Sequence, residues 1–341
     1  MTLHSLMARG AAFLGTEHAI LCGAMSWVSE RHLVSAISNA GAFGVIACGA
    51  MQPARLAEEI VATQALTRRP FGVNLITMHP ELVQLLNVCI AHKVGTIIFA
   101  GGIPSGAIMA QARAAGMKII CFAPTLALGK RLIRAGADAL VIEGSEAGGH
   151  IGPVSLQVLA QEILPHIHDV PIFVAGGIGR GEAILSFLEM GAAGVQLGTR
   201  FVCATECIAH PKFKAAYIRA QARDAMPSVQ IDENFPVVPV RALKNAATQR
   251  FMQHQGATLA RFQSGELTKD AAQLDIEHFW AGALRRAVVD GDVEEGSLMA
   301  GQSVGMVTRE QSVADIIAEL RQQAEAALAA RRAFASTPAL G

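Results

Sequence analysis

The chain has few aromatic residues and few charges. Of its 341 residues, 5% are aromatic and 16% are charged, and 28 Lys and Arg balance 28 Asp and Glu. An even balance without a basic run gives no electrostatic attraction to a phosphate backbone or an anionic bilayer, so we expect no nucleic-acid or membrane partner. The hydrophobic residues, 52% of the chain, are mainly Ala, Ile, Val and Leu, which is typical of parallel sheets buried on both faces.

Long hydrophobic runs are also missing. The longest, residues 40–51, is about a dozen residues and is interrupted by three glycines, whereas a spanning helix needs about 18 or more. The first 25 residues carry Arg9, Glu17 and His18 among short apolar patches, so they lack the continuous apolar segment of a signal peptide. We therefore expect a cytoplasmic protein.

The six cysteines lack the close pairs that a zinc site needs. Most of them lie inside apolar runs, as free buried cysteines do. We expect reduced core residues and no metal site. The cysteines are Cys22, Cys48, Cys89, Cys121, Cys203 and Cys207.

Eight short runs rich in Val and Ile recur through the first 200 residues, each followed by a segment of helical character. Several are preceded by a glycine, which is typical of the residue that ends a helix. The runs are residues 19–22, 44–47, 71–75, 96–100, 118–122, 139–143, 172–175 and 194–197. Because each connection is a helical crossover, the strands are parallel, and the pattern predicts an α/β protein with a (β/α)8 TIM barrel.

The alternative is an open, doubly wound sheet. Such a sheet usually carries G-x-G-x-x-G after an early strand, and the glycines of residues 176–181 have a different spacing. We predict a barrel of residues 1–214 and 300–335, with residues 215–299 forming a smaller helical domain that covers the substrate. Residues 312–332 have an apolar stripe at helical spacing and are expected to form the last outer helix.

Glycines follow six of the eight predicted strands. A barrel binds its ligands at the carboxyl ends of the strands, so these glycines lie where main-chain amides can approach a ligand, although each could also serve only a tight turn. The loops after the seventh and eighth strands contain Gly176, Gly177, Gly198 and Thr199. Barrels frequently bind phosphate at this position, and we predict a cofactor phosphate there.

His150 lies in a glycine-rich segment beyond the sixth strand, on the same predicted rim. An imidazole there can act as acid, base or hydrogen-bond donor near neutral pH, and Glu143 or Glu146 could orient it. A nucleophile elbow, an H-E-x-x-H motif and a P-loop are all missing from the sequence. Hydrolase and kinase activities are therefore not expected.

Several motifs together resemble the flavin-dependent nitronate monooxygenase family, formerly called 2-nitropropane dioxygenases, and the related flavin-type enoyl-[acyl-carrier-protein] reductases. They extend over nearly the whole chain. They are GAMSWV (23–28), SNAGAFG (38–44), FGVN (71–74), EGSEAGGHIG (143–152), AGGI (175–178), QLGTRF (196–201), RALKN (241–245) and GDVEEGSLMAG (291–301).

The resemblance implies FMN at the mouth of a (β/α)8 barrel, with a helical domain over the substrate and His150 as the catalytic residue. The implied cofactor-binding residues are Gly23, Ala24, Met25, Asn74, Glu143, Gly148, Gly149, Gly176, Gly177, Gly198 and Thr199. The last four would hold the phosphate, and Met25, Asn74 and Gly149 would lie beside the ring system. The sequence departs from the family's Gln-Gly-Gly-Met opening, because it has Cys22 and Ala24 at the first and third positions.

The resemblance predicts oxidation of alkyl nitronates by dioxygen to carbonyl compounds and nitrite. Two alternatives stay open: an NAD(P)H-dependent FMN reductase acting on enoyl thioesters or quinones, and a non-enzymatic barrel that binds a phosphorylated ligand. The sequence leaves open the substrate's chain length, a monovalent cation requirement and the oligomeric state, for which a homodimer is one option.

Overall fold

The computed structural model describes residues 2–232, 235 and 237–335. In chain order its strands are β1 (Ile20–Cys22), β2 (Gly44–Ala47), β3 (Phe71–Ile76), β4 (Thr96–Ala100), β5 (Lys118–Phe122), β6 (Ala139–Glu143), β7 (Gly149–His150), β8 (Ile172–Ala175), β9 (Gly194–Leu197), β10 (Ala225–Pro227) and β11 (Val240–Leu243). All eight strands predicted from the sequence are present. Their ends differ from the prediction by at most one residue.

The eight-stranded sheet closes into a barrel. Its strand order is β1-β9-β8-β6-β5-β4-β3-β2, and every pairing within it is parallel. The two ends of that order meet where Leu21 pairs with Phe43, and the amide of Cys22 donates to the Phe43 carbonyl at 2.9 Å. The predicted (β/α)8 barrel is confirmed, and an open doubly wound sheet is excluded.

The helices of the described residues connect the barrel strands, pack around them, or lie in the region that precedes the last helix. They are α1 (Leu3–Leu14), α2 (Arg31–Asn39), α3 (Pro53–Leu66), α4 (Leu82–Ala91), α5 (Gly106–Ala114), α6 (Leu126–Ala135), α7 (Leu156–Ile163), α8 (Gly181–Glu189), α9 (Thr199–Val202), α10 (Pro211–Arg219), α11 (Ala246–Gln263), α12 (Lys269–Val288) and α13 (Val313–Ala335). Local signals set several ends: α3 begins with Pro53, and α6 ends at Gly136 in the left-handed conformation.

The barrel core explains the unusual hydropathy of the sequence. Every residue of β2, β8 and β9 is buried, because side chains on one face fill the barrel and those on the other pack against helices. All six cysteines are free and buried, as predicted. Burial raises the pKa of the Cys48 thiol to about 12, so this side chain is an unreactive core residue at neutral pH.

The last helix packs against the outside of the barrel, as the sequence predicted. Helix α13 lies on α8, and the two approach so closely that a Cβ on Gly181 would overlap the Leu320 carbonyl. Buried Arg200 strengthens this attachment, since its guanidinium donates to Glu319 at 3.0 Å. The C-terminal segment is therefore an integral layer of the barrel.

A second, smaller core lies outside the barrel. Helices α11 and α12 enclose it, and the rings of Phe251 and Trp280 lie 4.2 Å apart at its centre. Its buried members are Phe235, Val237, Val240, Phe251, Ala272, Ile276 and Trp280. Tyr217 of α10 and Leu284 of α12 belong to the barrel core instead, so the limits of the helical domain at residues 215 and 299 stay a prediction.

The segment after β6 and the region between the barrel and α13 contain strands that the sequence did not reveal. Strands β10, β11 and β7 form a three-stranded antiparallel sheet in the order β10-β11-β7. These strands are two to four residues long, which is too short to produce a recognisable alternation in the sequence. Within the described ranges, no helix combines the length and apolar character that crossing a bilayer requires.

Candidate functional site

The glycine-rich loops meet at the carboxyl rim of four neighbouring strands, β6, β8, β9 and β1. A Cβ on Gly23 would lie 3.5 Å from the Gly198 Cα, and a Cβ on Gly198 would lie 3.5 Å from the Met25 sulfur. Next along the rim, a Cβ on Gly176 would lie 2.9 Å from the Gly144 carbonyl oxygen. The structure therefore brings the predicted loop residues together at one side of the barrel mouth.

Backbone conformation explains two of these glycines. Gly176 has φ of +99° and Gly177 has φ of +69°, in the left-handed region that side-chain-bearing residues rarely adopt. A Cβ on Gly177 would also lie 2.9 Å from the Glu146 Cβ. Both glycines are needed for the turn that follows β8.

Four main-chain N–H groups on this rim have no hydrogen-bond acceptor among the described residues. They belong to Gly176, Gly177, Gly198 and Thr199. The Thr199 hydroxyl oxygen accepts the Gly301 N–H at 2.9 Å, which leaves the hydroxyl proton available to donate. Because α9 has only four residues, individual N–H groups rather than a helix dipole supply the donors here. These five donors, in the loops after β8 and β9, are available to an oxyanion of a ligand.

Two buried amide side chains also lack partners. Asn74 is 5% exposed, and its Nδ2 donates to the Ile98 carbonyl at 3.1 Å, but its Oδ1 has no donor in the described part of the chain. Gln196 is 7% exposed and its side chain makes no hydrogen bond among the same residues; its Nε2 lies 3.7 Å from where a Gly23 Cβ would be. Neither the Asn74 Oδ1 nor the Gln196 amide is completely enclosed, so both polar groups are available to a polar ligand at the rim.

Asn74 was among the predicted site residues and Gln196 was not. The signal for Gln196 was present in the sequence, because it is the one polar residue of the strand Gly194–Leu197.

The departure from the family pattern at Cys22 has a local explanation. The Cys22 thiol is fully buried and donates to the Gly23 carbonyl at 3.3 Å, so it belongs to the core beneath the rim. Ala24 is partly buried against that core.

Glu143 ends β6 on the same rim. No hydrogen bond to its carboxyl group is present among the described residues, and burial raises its pKa to about 8. The group is therefore largely protonated at pH 7 and can donate a hydrogen bond. No hydrogen bond or ion pair joins it to His150 among the described residues, so the geometry does not support the hypothesis that Glu143 orients the imidazole.

His150 lies on β7, whose backbone pairs with β11 at Val240. Its Nε2 is 3.0 and 3.1 Å from the two carboxylate oxygens of Glu277 on α12. The other predicted orienting residue, Glu146, instead accepts the Leu156 N–H at 3.0 Å. Glu277 could not be predicted from the sequence, because it is 127 residues from His150 and no local pattern marks it.

Arg241 of β11 anchors the loop that carries His150. It is 7% exposed, and its guanidinium donates to the Ser145 carbonyl at 3.0 Å and to the Ala225 carbonyl. Burial lowers its pKa from the usual value. Since one side chain connects the loop after β6 to both β10 and β11, the small sheet and the barrel rim are held together at this point.

Replacing Gly148 with Ala should destabilise this rim. A Cβ there would lie 2.5 Å from the Gly301 nitrogen and 2.6 Å from the Ala300 carbonyl carbon, so main-chain atoms would have to move. We expect a loss of about 2 to 3 kcal/mol in the free energy of unfolding, measured by urea denaturation. Gly152→Ala is the matched control, because a Cβ at Gly152 meets nothing within 4 Å. Equal stability of the two variants would contradict the close approach.

The fold and the rim together define a (β/α)8-barrel protein with a candidate ligand site at the carboxyl ends of the strands. The family model of nitronate monooxygenase matches residues 8–90 and 80–323. The chain belongs to the nitronate monooxygenase family, and it is an oxidoreductase of this family of flavoenzymes.

Relatives with several activities cover nearly the whole chain. The (3aS,4S,5R,7aS)-5-hydroxy-7a-methyl-1-oxo-octahydro-1H-indene-4-carboxyl-CoA dehydrogenase of Rhodococcus jostii (strain RHA1) is 28% identical over 89% of this chain and 92% of its own length. A probable nitronate monooxygenase of Staphylococcus haemolyticus (strain JCSC1435) is 26% identical over 83% of this chain and 92% of its own.

Solved structures show the same fold. FabK from Thermotoga maritima superposes with a TM-score of 0.85 at 33% identity, covering 96% of this chain and 98% of its own. A nitroalkane oxidase from Streptomyces ansochromogenes superposes with a TM-score of 0.77 at 25% identity, covering 94% of this chain and 99% of its own.

Proposed function

We propose that this protein binds FMN at the barrel rim and oxidises alkyl nitronates to carbonyl compounds and nitrite with dioxygen. The observation that carries the proposal is the set of unpartnered donors after β8 and β9, together with the unsatisfied amides of Asn74 and Gln196. A phosphate group fits the donors, and a ring edge bearing both donors and acceptors fits the amides. Membership of the nitronate monooxygenase family supports the same reaction.

Each part of the rim has a proposed role in holding the cofactor. The N–H groups of Gly176, Gly177, Gly198 and Thr199 would bind the phosphate, and the Thr199 hydroxyl would add a fifth donor. Gly23, Ala24, Met25, Asn74, Gly148 and Gly149 would line the ring system. The protonated carboxyl group of Glu143 would donate to a polar atom of cofactor or substrate. When bound, FMN supplies the oxidising chemistry, and the protein positions it and excludes competing reactions.

His150 is the proposed catalytic residue. For a nitronate, the protonated imidazole, which carries an N–H on both ring nitrogens, would donate a hydrogen bond to an oxygen of the bound anion and neutralise part of its charge. For the neutral nitroalkane, it would accept the α-proton, while the electron pair of the broken C–H bond moves onto the nitro group to give the nitronate. Both tasks suit an imidazole, whose ordinary pKa lies near neutral pH.

The second candidate is an NAD(P)H-dependent reduction of enoyl thioesters or quinones through FMN. Two observations favour it: the 33% identity to FabK, an enoyl-[acyl-carrier-protein] reductase, and the 28% identity to a CoA-ester dehydrogenase. The same rim would hold FMN in either case, so the two candidates differ in what reaches the cofactor.

One experiment separates these candidates. The purified protein should be yellow, should resist bleaching by NADH or NADPH under anaerobic conditions, and should release nitrite from an alkyl nitronate in air. Rapid bleaching by the reduced nicotinamide without nitrite release would support the thioester candidate and reject the nitronate reaction. A colourless protein that takes up no added FMN would reject both and leave a non-enzymatic phosphate-binding barrel.

A further inference from the structure

A single side-chain pair connects the helical region to the candidate catalytic residue. The Nε2 of His150 lies 3.0 and 3.1 Å from the carboxylate oxygens of Glu277, which belongs to the middle of α12. We propose that Glu277 is the positioning residue of His150: it accepts the Nε2–H, fixes the tautomer and ring orientation, and thereby selects Nδ1 as the nitrogen that acts on substrate. The proposal rests on the proposed function of His150.

Both partners are held by structure outside the barrel. On the Glu277 side, the neighbouring residues Ile276 and Trp280 are buried in the core that α12 shares with α11. On the His150 side, the backbone pairs with Val240 of β11, and the next amide, that of Ile151, donates to the Pro239 carbonyl at 2.9 Å. The two side chains therefore approach each other from well-fixed backbones.

The contact with Glu277 determines which ring nitrogen of His150 carries the proton. In neutral histidine one ring nitrogen carries the proton and the other is an acceptor. A carboxylate facing Nε2 accepts a hydrogen bond there, so the neutral ring carries its proton on Nε2 and has its lone pair on Nδ1. In the described structure Nδ1 has no protein partner. If Nδ1 takes the α-proton of a nitroalkane, the ring becomes a cation beside the Glu277 carboxylate, which stabilises that charge.

An ordinary surface ion pair is the competing explanation. The side chains of His150 and Glu277 are 43% and 33% exposed, and exposed pairs contribute little to stability. Measurements of folding stability would therefore not distinguish a positioning role from an ordinary ion pair. The same helix offers a matched control, because Asp275 lies 3.0 Å from the Nε2 of His254 and accepts a hydrogen bond from Thr258 at 2.6 Å. His254 lies on α11 and Asp275 on α12, so this carboxylate–imidazole pair does not involve His150.

The first test observes the tautomer directly in the FMN-loaded, full-length protein. Nitrogen-15 spectra of labelled histidine, assigned for residue 150 by its loss in His150→Asn, should show the Nε2–H form in the wild-type protein and in Asp275→Ala. In Glu277→Ala the ring should become a mixture of both tautomers. An unchanged Nε2–H population in Glu277→Ala would overturn the proposal. This readout does not depend on which reaction the enzyme catalyses.

The second test measures whether Glu277 acts through His150. Glu277→Ala should lower kcat with a neutral nitroalkane, whose α-proton Nδ1 accepts, roughly ten-fold and change KM less than about two-fold, the scale of removing an orienting carboxylate behind a functional imidazole. Glu277→Gln, which keeps an acceptor, should recover part of that loss, and Asp275→Ala should lose nothing. In a His150→Asn background, Glu277→Ala should have no further effect.

The outcomes separate the two proposals. An equal fold-loss from Glu277→Ala with and without His150 would overturn the positioning role, because the carboxylate would then act independently of the imidazole. Full activity of His150→Asn would instead reject the proposed function of His150 itself, while the nitrogen-15 spectra would still decide whether Glu277 sets the tautomer.

Discussion

Replacing His150 with Asn should lower kcat for a neutral nitroalkane, whose α-proton the imidazole accepts, by about 10²- to 10⁴-fold, which is the range that general acid–base groups contribute. Asn keeps a hydrogen-bond donor of similar reach but cannot accept or carry a proton in the same way. FMN should remain bound, because the proposed phosphate donors, such as the N–H groups of Gly176 and Gly198, lie on other loops. The measurements are steady-state nitrite release and the visible spectrum of the variant.

His254→Asn is the appropriate control, since His254 also pairs with a carboxylate but lies within the helical region. It should retain wild-type kcat. Loss of FMN from His150→Asn would show that the residue supports the cofactor rather than the reaction. Unchanged turnover in this variant would remove His150 from the catalytic role altogether.

Replacing Glu143 with Gln should stabilise the protein in a pH-dependent manner. Burial raises the pKa of this carboxyl group from 4.5 to about 8, so the native state retains a proton that the unfolded chain releases above pH 4.5. The wild-type protein therefore loses stability as the pH rises from 4.5 to 8, and the loss levels off above 8. Gln cannot ionise and avoids this loss, which amounts to at most about 5 kcal/mol for such a shift.

Urea denaturation of the FMN-saturated proteins at pH 5, 7 and 8.5 measures this effect. The stability difference between Glu143→Gln and the wild-type protein should be small at pH 5 and largest at pH 8.5. Glu162→Gln, on the exposed face of α7, controls for the removal of one carboxylate. A difference that does not change with pH would contradict the raised pKa of Glu143.

The strands of the barrel were predictable because their signal is local. A run such as Gly44–Ala47 is apolar throughout, and a glycine precedes it at Gly41 with φ of +82°, so strand and helix end are both encoded within a few residues. The short strands β10 and β11 were not predictable. β10 pairs with β11, and β11 pairs with β7, so the small sheet depends on pairing between residues far apart in the chain.

Some residues of the candidate site were likewise predictable from the sequence, and others were not. Sequence patterns identified the rim glycines, because a left-handed turn at Gly176 and Gly177 requires that residue type. They did not identify Glu277, since a carboxylate on an amphipathic helix looks the same whether it faces solvent or an imidazole. Nor did they show that Gly148 must admit the backbone of Gly301.

The sequence by itself determined the closed barrel, the rim on which ligands bind, the buried cysteines and the family, because short-range apolar periodicity and turn residues specify each of these locally. The tertiary structure decided the partner of His150, the unsatisfied amide of Gln196 and the attachment of the helical region through Arg241. These features arise where segments about 100 or more residues apart are packed together, and only the folded chain fixes which side chains then meet.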